Sequence, residues 1–262
     1  MIKVQELSLF SRDKILVNNI SFELQSGERL AVLGANGAGK SSLLKTLASE
    51  RSPDQGNLLL DGELLAGYPA RLRAKRIAVL PQQVELAFPF KVQQVVAMGR
   101  IPHGDEHHSE TLQREAMQLM DVWHLRQRSY PSLSGGEQQR VQLARVLLQI
   151  WQPPQDENGR ILSRLLLLDE CTSALDPAHQ HAVMQQVKQF ADDHVAVMAV
   201  LHDIALAASW ADRVLLLKQG KVWAQGDVNL LTEAALLQQV YDLPAHLAQR
   251  YAEQNGAWLR AG

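Results

Sequence analysis

The sequence predicts an α/β protein: a parallel-sheet core with an N-terminal antiparallel part and a helical insertion. Three observations carry that expectation. Two unbroken apolar runs, Leu165 to Leu168 and Val195 to Leu201, suit parallel strands covered on both faces. Residues 2–33 alternate apolar and polar in short runs bounded by Ser26-Gly27. From about residue 91 to 151, apolar residues recur at spacings of three and four.

Taken in order, Ile15-Leu16-Val17 and Ile20 to Leu24 read as antiparallel strands, and Leu30 to Leu33 as a buried one. Leu58 to Leu60 is a short strand ending at the Asp61-Gly62 turn, and Ile77 to Leu80 is another buried candidate. Val92, Val95, Val96 and Gly99, then Leu112, Ala116, Leu119 and Met120, then Val141, Ala144, Leu147 and Leu148 mark helices. Trp151 to Asn158, rich in Pro, Gln, Asp and Glu, reads as a surface loop. The stretch 177–193 supplies a crossover helix between the two apolar runs. Val214 to Leu217, the Gln219-Gly220 turn and Val222 to Ala224 form a hairpin, and 232–251 reads as helical.

Composition narrows the function classes. The chain has 262 residues, 46% hydrophobic, enough for a buried core. A net charge of −2 makes no electrostatic case for nucleic acid as a partner. No apolar run approaches the ~20 residues of a membrane-spanning helix. Lys3, Glu6, Arg12, Asp13 and Lys14 leave no secretory leader, so the chain reads as cytosolic. The single cysteine, Cys171, excludes an intrachain disulfide and a cysteine-based zinc site.

Gly34-Ala35-Asn36-Gly37-Ala38-Gly39-Lys40-Ser41 fits the phosphate-loop pattern G-x-x-x-x-G-K-[ST], after a predicted strand and before a predicted helix. Backbone N–H groups of such a loop curl around an anion, and the helix N-terminus adds partial positive charge. Lys40 is placed to reach the β and γ phosphates, and Ser41 to ligate Mg²⁺. Leu165 to Leu168 ends in Asp169-Glu170, at the strand tip where an open α/β sheet presents its ligands. Adjacent strand residues face opposite ways, so Asp169 is expected to hold Mg²⁺ and Glu170 to polarise the attacking water. Leu133-Ser134-Gly135-Gly136-Glu137-Gln138 opens a second helix on a serine and two glycines. It carries no lysine of its own, and so suits a lid on phosphate held elsewhere. His103, His107 and His108 have the look of a metal cluster, but Asp105, Glu106 and Glu110 flank them, and the segment reads as a solvated connector.

The hexapeptide from Leu133 to Gln138 closely resembles the signature of ATP-binding cassette (ABC) ATPases, and the resemblance covers nearly the whole chain. It implies a P-loop NTPase cassette with a RecA-like parallel-sheet core (1–90 and 152–262) and a helical subdomain (91–151). It implies ATP and Mg²⁺, with Gly34, Asn36, Gly37, Gly39, Lys40, Ser41 and Ser42 on the nucleotide. Ser134, Gly135, Gly136 and Glu137 would cap the nucleotide of a second copy, giving a homodimer. Gln82 matches a glutamine that touches Mg²⁺ and water and senses a membrane subunit; Ser173 to Asp176 match the D-loop; His202 matches the switch histidine at the γ-phosphate. The implied partners are two transmembrane permease subunits and, indirectly, a periplasmic substrate-binding protein, with the chain peripheral on the cytoplasmic face of the inner membrane.

Val95 to His103, His202 to Ala208 and Tyr241 to Pro244 resemble ATPases of iron-chelate, haem and cobalamin importers. The insertion around Pro153-Pro154 is most similar to haem importer ATPases. Ferric siderophore and cobalamin remain open as cargo, as does a regulatory ATP switch without transport. Three positions depart from the family. Cys171 stands where Pro is usual and should pack as a small hydrophobe. The Ser134–Asp169 spacing is lengthened by the 151–163 loop. Ser11 takes the place of the adenine-stacking aromatic, with Phe10 one position off and facing the other side of an unbulged strand.

Overall fold

A computed structural model describes residues 1–11, 14–84, 86, 88–107, 110–191 and 194–261. The chain divides into two compact units, residues 1–67 with 197–262 and residues 68–196.

The first unit opens with strands β1 (Ile2–Ser11), β2 (Lys14–Leu24) and β3 (Arg29–Leu33), helix α1 (Lys40–Leu47), and strands β4 (Gln55–Leu60) and β5 (Glu63–Leu64). An antiparallel sheet takes the order β2-β1-β4-β5. Its register is not regular: β1 shifts against β2 between Val4 and Leu7, Leu7 and Leu9, and Leu9 and Phe10. Leu7, Ser8 and Leu9 are buried in succession, while Phe10 and Ser11 are both exposed. The strict alternation expected at Phe10 therefore fails, because the strand is bulged.

The second unit holds α2 (Ala70–Arg76), β6 (Ile77–Leu80), α3 (Val92–Ala97), α4 (Glu110–Leu119), α5 (Gly135–Gln149), β7 (Arg164–Asp169) and α6 (Pro177–Phe190). β6 and β7 pair in parallel from Ile77–Leu165 to Leu80–Leu168. All six residues of β7 are buried, as its unbroken apolar run requires. Between α3 and α4 the chain runs as 3₁₀ turns between Met98 and His107, broken by a kink at Gly104 (φ 65°), a stretch the spacing pattern does not disclose. His103 is buried there, its Nε2 2.8 Å from the Gln149 carbonyl. The solvated-connector expectation is wrong for His103, because a backbone carbonyl of α5 satisfies its ring; His108 lies outside the described residues. No group of three or more His, Cys, Asp or Glu among the described residues is disposed to hold a metal.

After β8 (Val195–Val200) the chain returns to the first unit with α7 (Ile204–Trp210), β9 (Arg213–Lys218), β10 (Lys221–Asp227), α8 (Ala234–Tyr241) and α9 (Ala245–Ala261). β3 pairs in parallel with β8 through Val197–Val200 on one side and with β9 on the other. Arg29 ties β3 to β9 through a two-pronged pair with Asp212, one N–H···O at 2.9 Å and a shorter one beside it. The helical tail is two helices, broken where Asp242 adopts φ 54° ahead of Pro244. No helix among the described residues is long and apolar enough to cross a membrane.

A candidate nucleotide-hydrolysis site

In the first unit, β3 delivers the chain into the glycine loop and α1 leaves it. Gly34 has φ 144° and Gly39, the N-cap of α1, has φ 100°. A Cβ on Gly34 would lie 2.1 Å from the Leu217 carbonyl oxygen, and one on Gly39 2.5 Å from that of Leu16. Glycine is thus required twice over, by conformation and by space. The Gly220 N–H donates to Ala38 O at 3.1 Å and the Asn18 N–H to Gly220 O at 2.7 Å, so the loop is braced by β2 and the β9–β10 hairpin. Lys40 is buried, its ammonium donating to Gly34 O at 2.7 Å and Ala35 O at 3.1 Å. A cation held on the rim of a ring of amides is poised to turn to an arriving phosphate.

His202 follows β8 and is exposed. The next residue, Asp203, caps α7 by accepting from the Ala205 and Leu206 N–H groups at 2.8 and 3.0 Å. The motif order does not reveal that cap, although Asp before a helical run is its ordinary signal.

In the second unit Asp169 ends β7 and is buried. Glu170 lies beyond the strand with φ 52°, an uncommon left-handed value for a residue with a Cβ. Its orientation therefore follows from this turn and not from strand alternation. The turn aims its carboxylate at Gln82, whose Nε2 donates to it at 2.5 Å. Gln82 stands two residues beyond β6, the neighbour of β7, which is why two groups 88 positions apart meet. Cys171 is fully buried, its Sγ 3.9 Å from Met184 Sδ, and burial pushes its thiol up to about 12.

Ser134 caps α5. Its N–H donates to the Glu137 carboxylate at 2.7 Å, its hydroxyl donates to the same oxygen at 2.9 Å, and its Oγ accepts the Glu137 N–H at 3.3 Å. These bonds from Ser134, the backbone one foremost, hold the Glu137 carboxyl below the usual range. A cavity of about 210 Å³ opens beside this cap, lined by Ser134, Gly136, Arg140, Ala174, Asp176 and His179 among others. A Cβ on Gly136 would come 3.0 Å from Leu175 Cδ2, so the start of α5 lies close against the Leu175 side chain. Asp176 caps α6 through the His179 N–H at 3.0 Å, and the His179 ring lies 2.6 Å from its other oxygen. The His179 N–H above all holds the Asp176 carboxyl low. His179 carries no signal in the spacing of the motifs.

A strand-to-helix glycine loop with a lysine beneath it, and acidic residues at the tip of a buried strand, define a P-loop nucleotide-binding protein. Residues 17–173 match the family described as ABC transporter. Over 97% of both chains, the sequence is 44% identical to the hemin import ATP-binding protein HmuV of Pseudomonas putida. It is 48% identical to the protein of that name from Gloeobacter violaceus, over 89% of this chain and 85% of the other. Among solved structures it resembles a putative metal-chelate type ABC transporter in an inward-facing conformation (TM-score 0.74, 28% identity, 93% of this chain and 89% of the other). The fold is also that of a dimeric bacterial ABC transporter cassette (TM-score 0.72, 24% identity, 87% of this chain and 99% of the other). The chain belongs to the ABC transporter family, as its ATP-binding and ATP-hydrolysing component.

Proposed function

We propose that the chain is the ATPase subunit of a bacterial haem importer. It works as a homodimer beneath two transmembrane permease subunits, on the cytoplasmic face of the inner membrane, and is served indirectly by a periplasmic substrate-binding protein. The observation that carries this reading is the 44% identity, end to end, to a hemin import ATP-binding protein. The catalytic core comprises residues 1–90 and 152–262, and the helical subdomain residues 91–151.

The amides of Gly34, Asn36, Gly37 and Gly39, with Lys40, Ser41 and Ser42, bind the phosphates, Lys40 exchanging its two loop carbonyls for phosphate oxygens. The Ser41 hydroxyl, the Asp169 carboxylate and the Gln82 amide oxygen would hold Mg²⁺, each an oxygen donor of the kind it takes. Mg²⁺, when bound, neutralises charge on the β and γ oxygens. Glu170 takes the proton of the attacking water while the Gln82 amide fixes the carboxylate's direction. His202 hydrogen-bonds the γ-phosphate. Ser134, Gly135, Gly136 and Glu137 of the second copy close over the triphosphate, so that ATP clamps the dimer and hydrolysis releases it.

The test is uptake into vesicles reconstituted with the chain and its permease. ATP-dependent accumulation of haem, with none of ferric siderophore or cobalamin, is the expected result. Uptake of either control in place of haem would reassign the cargo. ATP hydrolysis with no permease copurifying would point instead to a regulatory ATPase.

A further inference from the structure

The first unit contains a cavity of about 530 Å³ whose walls join two parts of the chain: His202, Asp203 and Ile204 at the start of α7, and Tyr241, Leu243 and Tyr251 from the C-terminal helices. Tyr241 is the last residue of α8. It lines the cavity, but its hydroxyl oxygen is sealed from solvent and hydrogen-bonds to none of the described residues. The Gly34 N–H, at the first residue of the phosphate loop, is near enough to that oxygen to favour its ionised form against the larger effect of burial, yet the two form no hydrogen bond. Burial pushes the phenol up to about 12, so it stays protonated.

A sealed polar atom without a partner is costly and calls for an explanation, and for Tyr241 a second state that satisfies it is one. The surroundings keep Tyr241 in place. Lys218, at the end of β9, pairs with Asp242 at 2.7 Å and also donates to the Gln239 carbonyl. The Trp223 indole N–H donates to the Gln239 side chain at 3.3 Å. The same β9 presents the Leu217 carbonyl that closes on Gly34. The end of α8 and the start of the phosphate loop are thus both seated on one strand.

We infer that Tyr241 is a positioning residue of the nucleotide site: when ATP draws the phosphate loop into its gripping form, the Tyr241 hydroxyl accepts the Gly34 N–H and ties the loop to α8. Because the same residue lines the cavity with His202, the tie registers the loop against the segment that carries the switch histidine. This inference rests on the assignment of ATP to the glycine loop.

The experiment compares wild type, Tyr241→Phe and Tyr251→Phe by equilibrium Mg-ATP binding, steady-state turnover and nucleotide-free thermal melts. Wild-type binding is the control on the assignment of ATP itself; if it fails, that assignment fails and not the tie. The tie predicts a Kd and KM for ATP raised about three- to tenfold in Tyr241→Phe, the worth of one hydrogen bond. It predicts kcat within about twofold of wild type, and a nucleotide-free melting temperature unchanged or higher, because the lost hydroxyl had no partner. Tyr251→Phe, lining the same cavity, should bind ATP as wild type does. Unchanged ATP affinity in Tyr241→Phe, an equal loss in both variants, or a lower nucleotide-free melting temperature with no change in Kd would each overturn the inference.

Discussion

At the scale of single residues, the phosphate loop yields the sharpest expectations. Lys40→Ala removes a cation that two loop carbonyls hold in readiness, and turnover should fall by ~10²-fold or more with ATP binding weakened, as titration and steady-state assays would register. Wild-type-like turnover would remove Lys40 from the phosphate site. Gly34→Ala drives a Cβ into the Leu217 carbonyl at a backbone angle that alanine resists, and should cost about 2–4 kcal/mol in chemical denaturation. Most residues of this kind were legible in the sequence, because a phosphate loop needs glycines and a lysine at set intervals whatever surrounds them. The direction of Glu170 was not. Alternation along β7 predicts one thing, and a left-handed turn after the strand delivers another, onto Gln82. Phe10 misled for a related reason, since a bulge leaves no trace in a short run of apolar residues.

Among the elements, α5 is held by a reciprocal cap that can be tested apart from catalysis. Ser134→Ala removes that cap and should cost about 1 kcal/mol in nucleotide-free melts. Its pH dependence has a definite sign. The folded state holds the Glu137 carboxyl below its usual value, so the cap's contribution is complete above the ordinary carboxylate range and fades as pH falls through the lowered one. Melts of wild type and Glu137→Gln should therefore converge toward acid; a gap that holds constant or widens would contradict the cap. The elements themselves were readable where apolar runs were unbroken or evenly spaced, as in β3, β7, β8 and α5. They were not readable in α2, where Arg71, Arg73, Lys75 and Arg76 give a mostly polar helix, nor in the 3₁₀ stretch after α3. The buried His103 belongs to that stretch, and its carbonyl partner 46 residues away has no sequence signal.

The whole molecule gives the account its mechanism. In the proposed head-to-tail dimer, the one glycine loop of each copy meets the one signature of the other, giving two sites. In that proposal ATP does the joining. Sedimentation of Glu170→Gln tests it most directly, because that change keeps the proposed nucleotide-binding groups and removes only the proposed base that would hydrolyse ATP and reopen the pair. With ATP and Mg²⁺ the variant should sediment as a dimer, and without nucleotide as a monomer; a monomer that persists with saturating ATP, even with the permease subunits supplied, would contradict the account.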